Sequence, residues 1–137
     1  MSRLPLCRAR DLTTESGAPR WLVDSLWSER AVGILGGEPK CGKSLLALEI
    51  ALAVAAGHPC LGRFAIPRPG PVLFFAAEDS IAIVHQRVHA IARARRIELA
   101  RLDLFFLHTP ALRLDHDADR DRLTATVQQR RRRELCR

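Results

Sequence analysis

Three short apolar runs punctuate the chain, and amphipathic or Leu/Ala-rich stretches separate them. Ala31-Val32-Gly33-Ile34-Leu35, bounded by Gly36-Gly37, has the pattern of a strand buried on both faces. From Gly42 to Ala56 the residues are strong helix formers, and Gly57 and Pro59 stand where a helix C-terminus is expected. After the punctuation of Pro67, Pro69, Gly70 and Pro71, Val72-Leu73-Phe74-Phe75-Ala76-Ala77 predicts a second buried strand, ending at Glu78-Asp79. Asp79 or Ser80 can cap a following helix in which Val84, Val88 and Ile91 form the inward stripe. Arg87, Arg93, Arg95 and Arg96 are expected mostly on its wet side.

The third run, Leu102 to Leu107, closes at Thr109-Pro110. A helix is predicted from Asp117 onward, with only Leu123 and Val127 as inward anchors. Upstream, Trp21, Leu22, Leu26 and Trp27 suit a short helix or turn packed on the sheet. Strands alternating with helices at this spacing predict an α/β domain whose parallel sheet, of about three core strands, is covered on both faces.

Composition sharpens this picture. At 137 residues and 47% apolar content the chain has enough for a single core, and it does not have the composition of a disordered protein. The longest apolar stretch, Leu45 to Ala56, is interrupted by Glu49 and is shorter than the roughly 20 residues a bilayer demands, so no membrane span is expected. The first residues carry charge without an apolar core segment, which predicts no secretory signal and a cytoplasmic address. Cysteines 7, 41, 60 and 136 have spacings that fit neither a zinc site nor a disulfide framework, and they read as reduced thiols. The net charge of +7 favours polyanionic partners, but residues 130–137 alone contribute +4 of it.

One motif carries chemistry. Gly37-Glu38-Pro39-Lys40-Cys41-Gly42-Lys43-Ser44 matches G-x-x-x-x-G-K-[ST] between a predicted strand and a predicted helix. From the chain's own 8 Gly and its low Lys content, a chance match is on the order of 10⁻³. The pattern suits a triphosphate: backbone N–H groups wrap the anion, glycines keep Cβ atoms out of the way, and the helix N-terminus adds partial positive charge. Residues 37–45, Gly37 through Leu45, are therefore the expected cradle. Within it Lys43 would neutralise the β- and γ-phosphates and Ser44 would offer its hydroxyl to Mg²⁺. Lys40 and Lys43 are the only lysines in the chain, and both sit in this loop. Glu38 and Cys41 are assigned no side-chain chemistry.

The second constellation is the carboxylate pair at the end of the second run. Ligands of open parallel sheets bind at the carboxyl ends of strands, which would put Glu78 in the same crevice as the loop. Three readings stand for this pair: Glu78 polarises the attacking water, Asp79 contacts Mg²⁺ through water, or Asp79-Ser80 is only a helix cap. His108 reads as a strand-end residue, and His85, His89 and His116 as ordinary polar-face or loop residues.

These residues resemble the RecA-like P-loop ATPases, in particular the AAA-family group that includes RepA-type hexameric replicative helicases. The resemblance rests on Gly37 to Ser44, the Ala/Leu-rich helix, the Pro-rich turn and Leu73-Phe74-Phe75-Ala76-Ala77-Glu78-Asp79-Ser80, over about residues 21–115. It implies an ATP- and Mg²⁺-dependent module coupled to DNA replication or recombination in a homo-oligomeric, hexameric ring. It carries the catalytic-base role to Glu78 and leaves Ser44 and Asp79 as the metal-facing groups. Residues 1–20, without helical or strand periodicity, read as a flexible leader; the resemblance implies the N-terminal part of a RecA-like nucleotide-binding domain at 21–128, and 129–137 reads as an Arg-rich tail, expected to be out of frame.

The sequence departs from that family after Leu107, where no strand ends in the expected acid, and Arg130 to Arg133 stand where a further strand would be. The expectation is a truncated or frame-shifted copy in which ATP binding survives where turnover does not. The alternative is a nucleic-acid-binding basic protein with a vestigial loop, its tail gripping DNA phosphates. A small-molecule kinase ranks last, because neither a lid nor an acceptor pocket is identifiable.

Overall fold

The computed structural model describes residues 8–11, 20–109 and 111–134, with side chains up to residue 129. Most of the expected leader, and the last residues of the tail, lie outside the described residues.

Trp21–Val23 (β1) and Trp27–Ser28 (β2) form an antiparallel hairpin, pairing Trp21 with Ser28 and Val23 with Trp27. The expected short helix or turn at Trp21 to Trp27 is thus a hairpin. Its β-prone residues flank Asp24-Ser25-Leu26, and Ser25 takes a left-handed conformation that lets the chain reverse. Asp24 N–H bonds Ala65 O at 2.8 Å, tying the turn to the connection that follows the first helix. Val23 is fully buried against Ala53, Val54 and Cys60.

The expected strand at 31–35 does not form. Among the described residues the segment pairs with no strand, and Val32 and Ile34 are 99% and 96% exposed. Trp27 lies against it instead: its indole donates to Ala31 O at 3.4 Å, and a Cβ at Gly33 would stand 2.6 Å from the ring.

Lys43–Ala56 forms α1, which closes at Gly57 through an N–H bond to Ala53 O. Val72–Phe75 (β3) pairs in parallel with Leu104–Leu107 (β4), in the register Val72 to Leu104 through Phe75 to Leu107. Between them lies α2, Ile81–Arg95, capped by Ser80, whose Oγ accepts from Ile83 N–H. A short 3-10 turn, Leu99–Arg101, precedes β4, and Asp117–Glu134 forms α3. Among the described residues the parallel sheet has two strands rather than about three.

The main core lies on one face of this sheet. Leu48 and Leu52 of α1 meet Val84, Val88 and Ile91 of α2, and Phe74, Ala76, Leu104 and Phe106 pack onto them. Strand side chains alternate between faces, so these four belong to one face. Both helices therefore cover the same side, and Leu73 on the opposite side is 41% exposed. Neither α1 nor α2 supplies the expected cover of the second face, where Leu107 shares a hollow with Leu123 of α3. Each fully buried leucine contributes about 1.5–3 kcal/mol, which makes Leu48 and Leu52 the anchors of α1.

Two expectations for the helices also change. Arg95 turns inward to Glu49 and Arg87 to Asp79, so neither lies simply on a wet face. In α3 no described side chain is fully buried, and Val127, expected inward, is exposed. That helix is held by local charge: Asp117 and Asp119 stand in its first turn and pair with Arg120 and Arg122. No described helix is long and apolar enough to cross a membrane.

Candidate functional site

The loop that precedes α1 is shaped by its backbone. Gly42 enters the helix at φ 90°, in the left-handed region where a Cβ is costly, and Lys40 adopts φ 63° two residues earlier. At Gly37 the requirement is space, since an added Cβ would stand 2.7 Å from Cys41 Sγ. Among the described residues no side chain caps α1, so the first-turn N–H groups are open to solvent or to a ligand.

Lys43 folds back over this loop. Its ammonium donates to Gly37 O at 2.8 Å and Glu38 O at 2.7 Å, and it contacts Cys41 Sγ at 3.8 Å. These contacts hold a positive charge over the helix N-terminus. Ser44 is exposed one residue further on.

Beside the first turn of α1 lies a cleft of about 290 Å³. Lys43, Ser44 and Ala47 line one wall, and the end of β3 from Phe74 to Asp79 lines the other. The parallel pairing of β3 with β4 and the packing of Phe74 on α1 bring these walls together. Four residues singled out from the sequence, Lys43, Ser44, Glu78 and Asp79, thus line one cleft. Glu78 is exposed and makes no ion pair among the described residues. Asp79 is engaged: Arg87 Nη1 lies 2.6 Å from its Oδ2, while the helix cap falls to Ser80.

The model of the AAA domain family matches residues 1–135. The chain belongs to the AAA domain family. No solved structure matches it. For an AAA domain, an ATPase-like module that binds nucleotide, the hydroxyl of Ser44 and the carboxylates of Glu78 and Asp79 are a hard oxygen set of the kind Mg²⁺ takes. Among the described residues no three His, Cys, Asp or Glu side chains gather as a metal cluster. His85 and His89 stack on each other on α2, with ring centroids 4.1 Å apart.

Sequence reasoning missed one buried charge. Glu49 of α1 accepts from Leu61 N–H and from Arg95 Nε, both at 2.9 Å and both through Oε1. The signal was present: it is the one charged residue after Lys43 in an otherwise Leu/Ala-rich helix. Next to it, Cys60 is fully buried, and burial followed by the nearby Glu49 charge pushes its thiol up from the ordinary value. Cys41 is exposed, and both are free thiols.

Proposed function

We propose that this AAA domain binds ATP with Mg²⁺ on the loop 37–45 and that Glu78 is the base for hydrolysis. The observation that carries this reading is the shared cleft of Lys43, Ser44, Glu78 and Asp79. First-turn amides of α1 and the Lys43 ammonium neutralise the terminal phosphates. Ser44 by its hydroxyl and Asp79 by its carboxylate through water would hold Mg²⁺, which would supply screening of the phosphate charge. Glu78 orients a water and accepts its proton. Arg87 fixes Asp79 in place through their ion pair.

We further propose that the module is RecA-like and works in DNA replication or recombination as part of a homo-oligomeric, hexameric ring. This extension rests on the resemblance of residues 21–115. An arginine supplied from outside the chain would add about 10³–10⁵ in rate, so binding is expected to outlast turnover in the isolated chain. The nucleic-acid-binding alternative is weaker, because many arginines of the described body, among them Arg68, Arg87, Arg95, Arg120 and Arg122, already face carboxylates of the same chain.

Titration of a fluorescent ATP analogue with and without Mg²⁺ tests the site. Lys43→Ala is expected to weaken binding by about tenfold or more, a loss of at least ~1.4 kcal/mol. Equal affinity of the two proteins would refute it. Glu78→Gln is expected to keep binding and to remove whatever turnover the wild type has.

A further inference from the structure

Helix α2 carries a second set of chemical groups, apart from the cleft. His85 and His89 stand four residues apart on it, about 40° from each other round the helix axis, so both project from one strip of its surface. Val84, Val88 and Ile91 hold the core face, and both histidines are exposed. The sequence reads them as ordinary polar-face residues. The structure brings their rings into contact, with centroids 4.1 Å apart and planes tilted by 40°.

We propose that His85 and His89 form a two-imidazole site for a late first-row divalent ion of the Zn²⁺, Ni²⁺ or Cu²⁺ class. Imidazole nitrogen is a ligand these borderline ions favour, and two histidines one helical turn apart offer it from one face. A Zn–N bond is about 2.0–2.1 Å, so two rings sharing one ion stand about 4.5–5 Å apart between centroids. From 4.1 Å the pair needs to open by no more than about 1 Å, within reach of small torsional adjustments of exposed side chains. The ring contact already supplies most of the ordering that chelation needs. Binding of one nitrogen then presents the other at high effective concentration.

The surroundings narrow the choice of ion. One turn along the strip lie Ile81 and Ala82 before His85, and Ala92 and Arg93 after His89, none of which is a metal ligand. No third His, Cys, Asp or Glu joins the pair among the described residues, so water completes the coordination shell. Arg93 and Arg96, both exposed, add positive charge to the same helix. A hard ion such as Mg²⁺, which takes oxygen ligands and is held largely by charge, gains nothing here. An ion that forms directed bonds to nitrogen still binds, which sets this site apart from the oxygen-lined cleft of Ser44, Glu78 and Asp79. The proposal stands independently of nucleotide binding.

The test reads the rings themselves. Zn²⁺ is titrated into the untagged protein carrying isotope-labelled histidine, and the ring nitrogens are followed by NMR, so that ions taken up by thiols do not enter the reading. His58, His108 and His116 serve as internal controls. The resonances of His85 and His89 are expected to shift together at about tenfold lower Zn²⁺ than those of the controls, and Mg²⁺ is expected to shift neither. His89→Asn should raise the Zn²⁺ needed at His85 by about tenfold, and His85→Asn should do the same at His89. His89→Ala combined with Ala90→His keeps the number of histidines but moves one off the strip, and should raise the requirement at His85 as much. Positions 85, 89 and 90 are all exposed, and circular dichroism verifies the fold of each variant. A common response of all five histidines would overturn the site. So would an unchanged Zn²⁺ requirement in a folded variant, or the absence of any shift at His85 and His89 in the wild type.

Discussion

Val72–Phe75 and Ala31–Leu35 are two short apolar runs of similar sequence character, and the chain treats them oppositely. The first is bonded along its length to Leu104–Leu107, and Phe74 presses against the leucines of α1. The second pairs with no strand among the described residues and leaves Val32 and Ile34 in water. Ala31 and Gly33 lower the β-propensity of the second run, and the surroundings decide the rest. A strand is stable only where an edge takes its amides and a face takes its side chains, and β4 with α1 and α2 offers both to β3. The leading run instead lies against the Trp27 indole at Gly33 and reaches the rim of the cleft through Leu35.

Mutation at equivalent positions should split the two runs. Phe74→Ala is expected to destabilise the fold by about 3 kcal/mol in urea melts, because it empties the centre of the sheet–helix interface. A loss below about 1 kcal/mol would mean that β3 is no better packed than residues 31–35. Glu49→Ala should cost about 2 kcal/mol, since it strands Leu61 N–H and unpairs Arg95, which clamps α2 onto α1. The partial exposure of Arg95 keeps the cost below that of a fully buried pair.

A pH series extends the contrast to α3, the helix without a buried face. Asp119 accepts from Arg113 N–H at 2.9 Å, and this bond, more than the neighbouring Arg122, holds its carboxyl below the ordinary range. A depressed folded value gives stability that is complete above the unfolded value and is lost as pH falls through the folded one. Asp119→Asn should therefore remove a small acid-side loss of α3 helicity, read by circular dichroism below about pH 4. Cys60 has the opposite sign. Its raised value favours folding until alkaline pH ionises the thiol of the unfolded chain, and stability then falls as pH rises further. Peptide mapping after alkylation at neutral pH should find Cys41 modified in the folded protein and Cys60 only after unfolding.

The smallest effect is expected in the exposed run. Ile34→Ser should change stability by less than about 0.5 kcal/mol, and amides 32–35 should exchange far faster than those of Val72–Phe75. Protection of both segments alike would erase the distinction.

Much of the site was legible because its chemistry is contiguous. In the proposed site one anion would be served by Gly37 to Ser44, so eight residues in a row carry the pattern. The helices of α1 and α2 were legible for a related reason: Val84, Val88 and Ile91 recur at helical spacing, and Gly57 stops α1 where a stop was expected. The hairpin at Trp21 to Trp27 was not, because two strands of two and three residues are too short for alternation to differ from one helical turn. The inward turn of Arg95 was equally hidden. Its partner Glu49 lies 46 positions away, and no local spacing encodes that pair.

By itself the sequence determined the loop, the two helices that follow apolar runs, and the carboxylates at the end of the second run, since each depends on neighbours along the chain. Tertiary structure alone decided which apolar runs became strands, that α1 and α2 share one face, and that a buried Glu49 pairs with Arg95. These outcomes depend on edges and surfaces brought from distant segments. Their free energy comes from burial and bonding between residues that no periodicity joins.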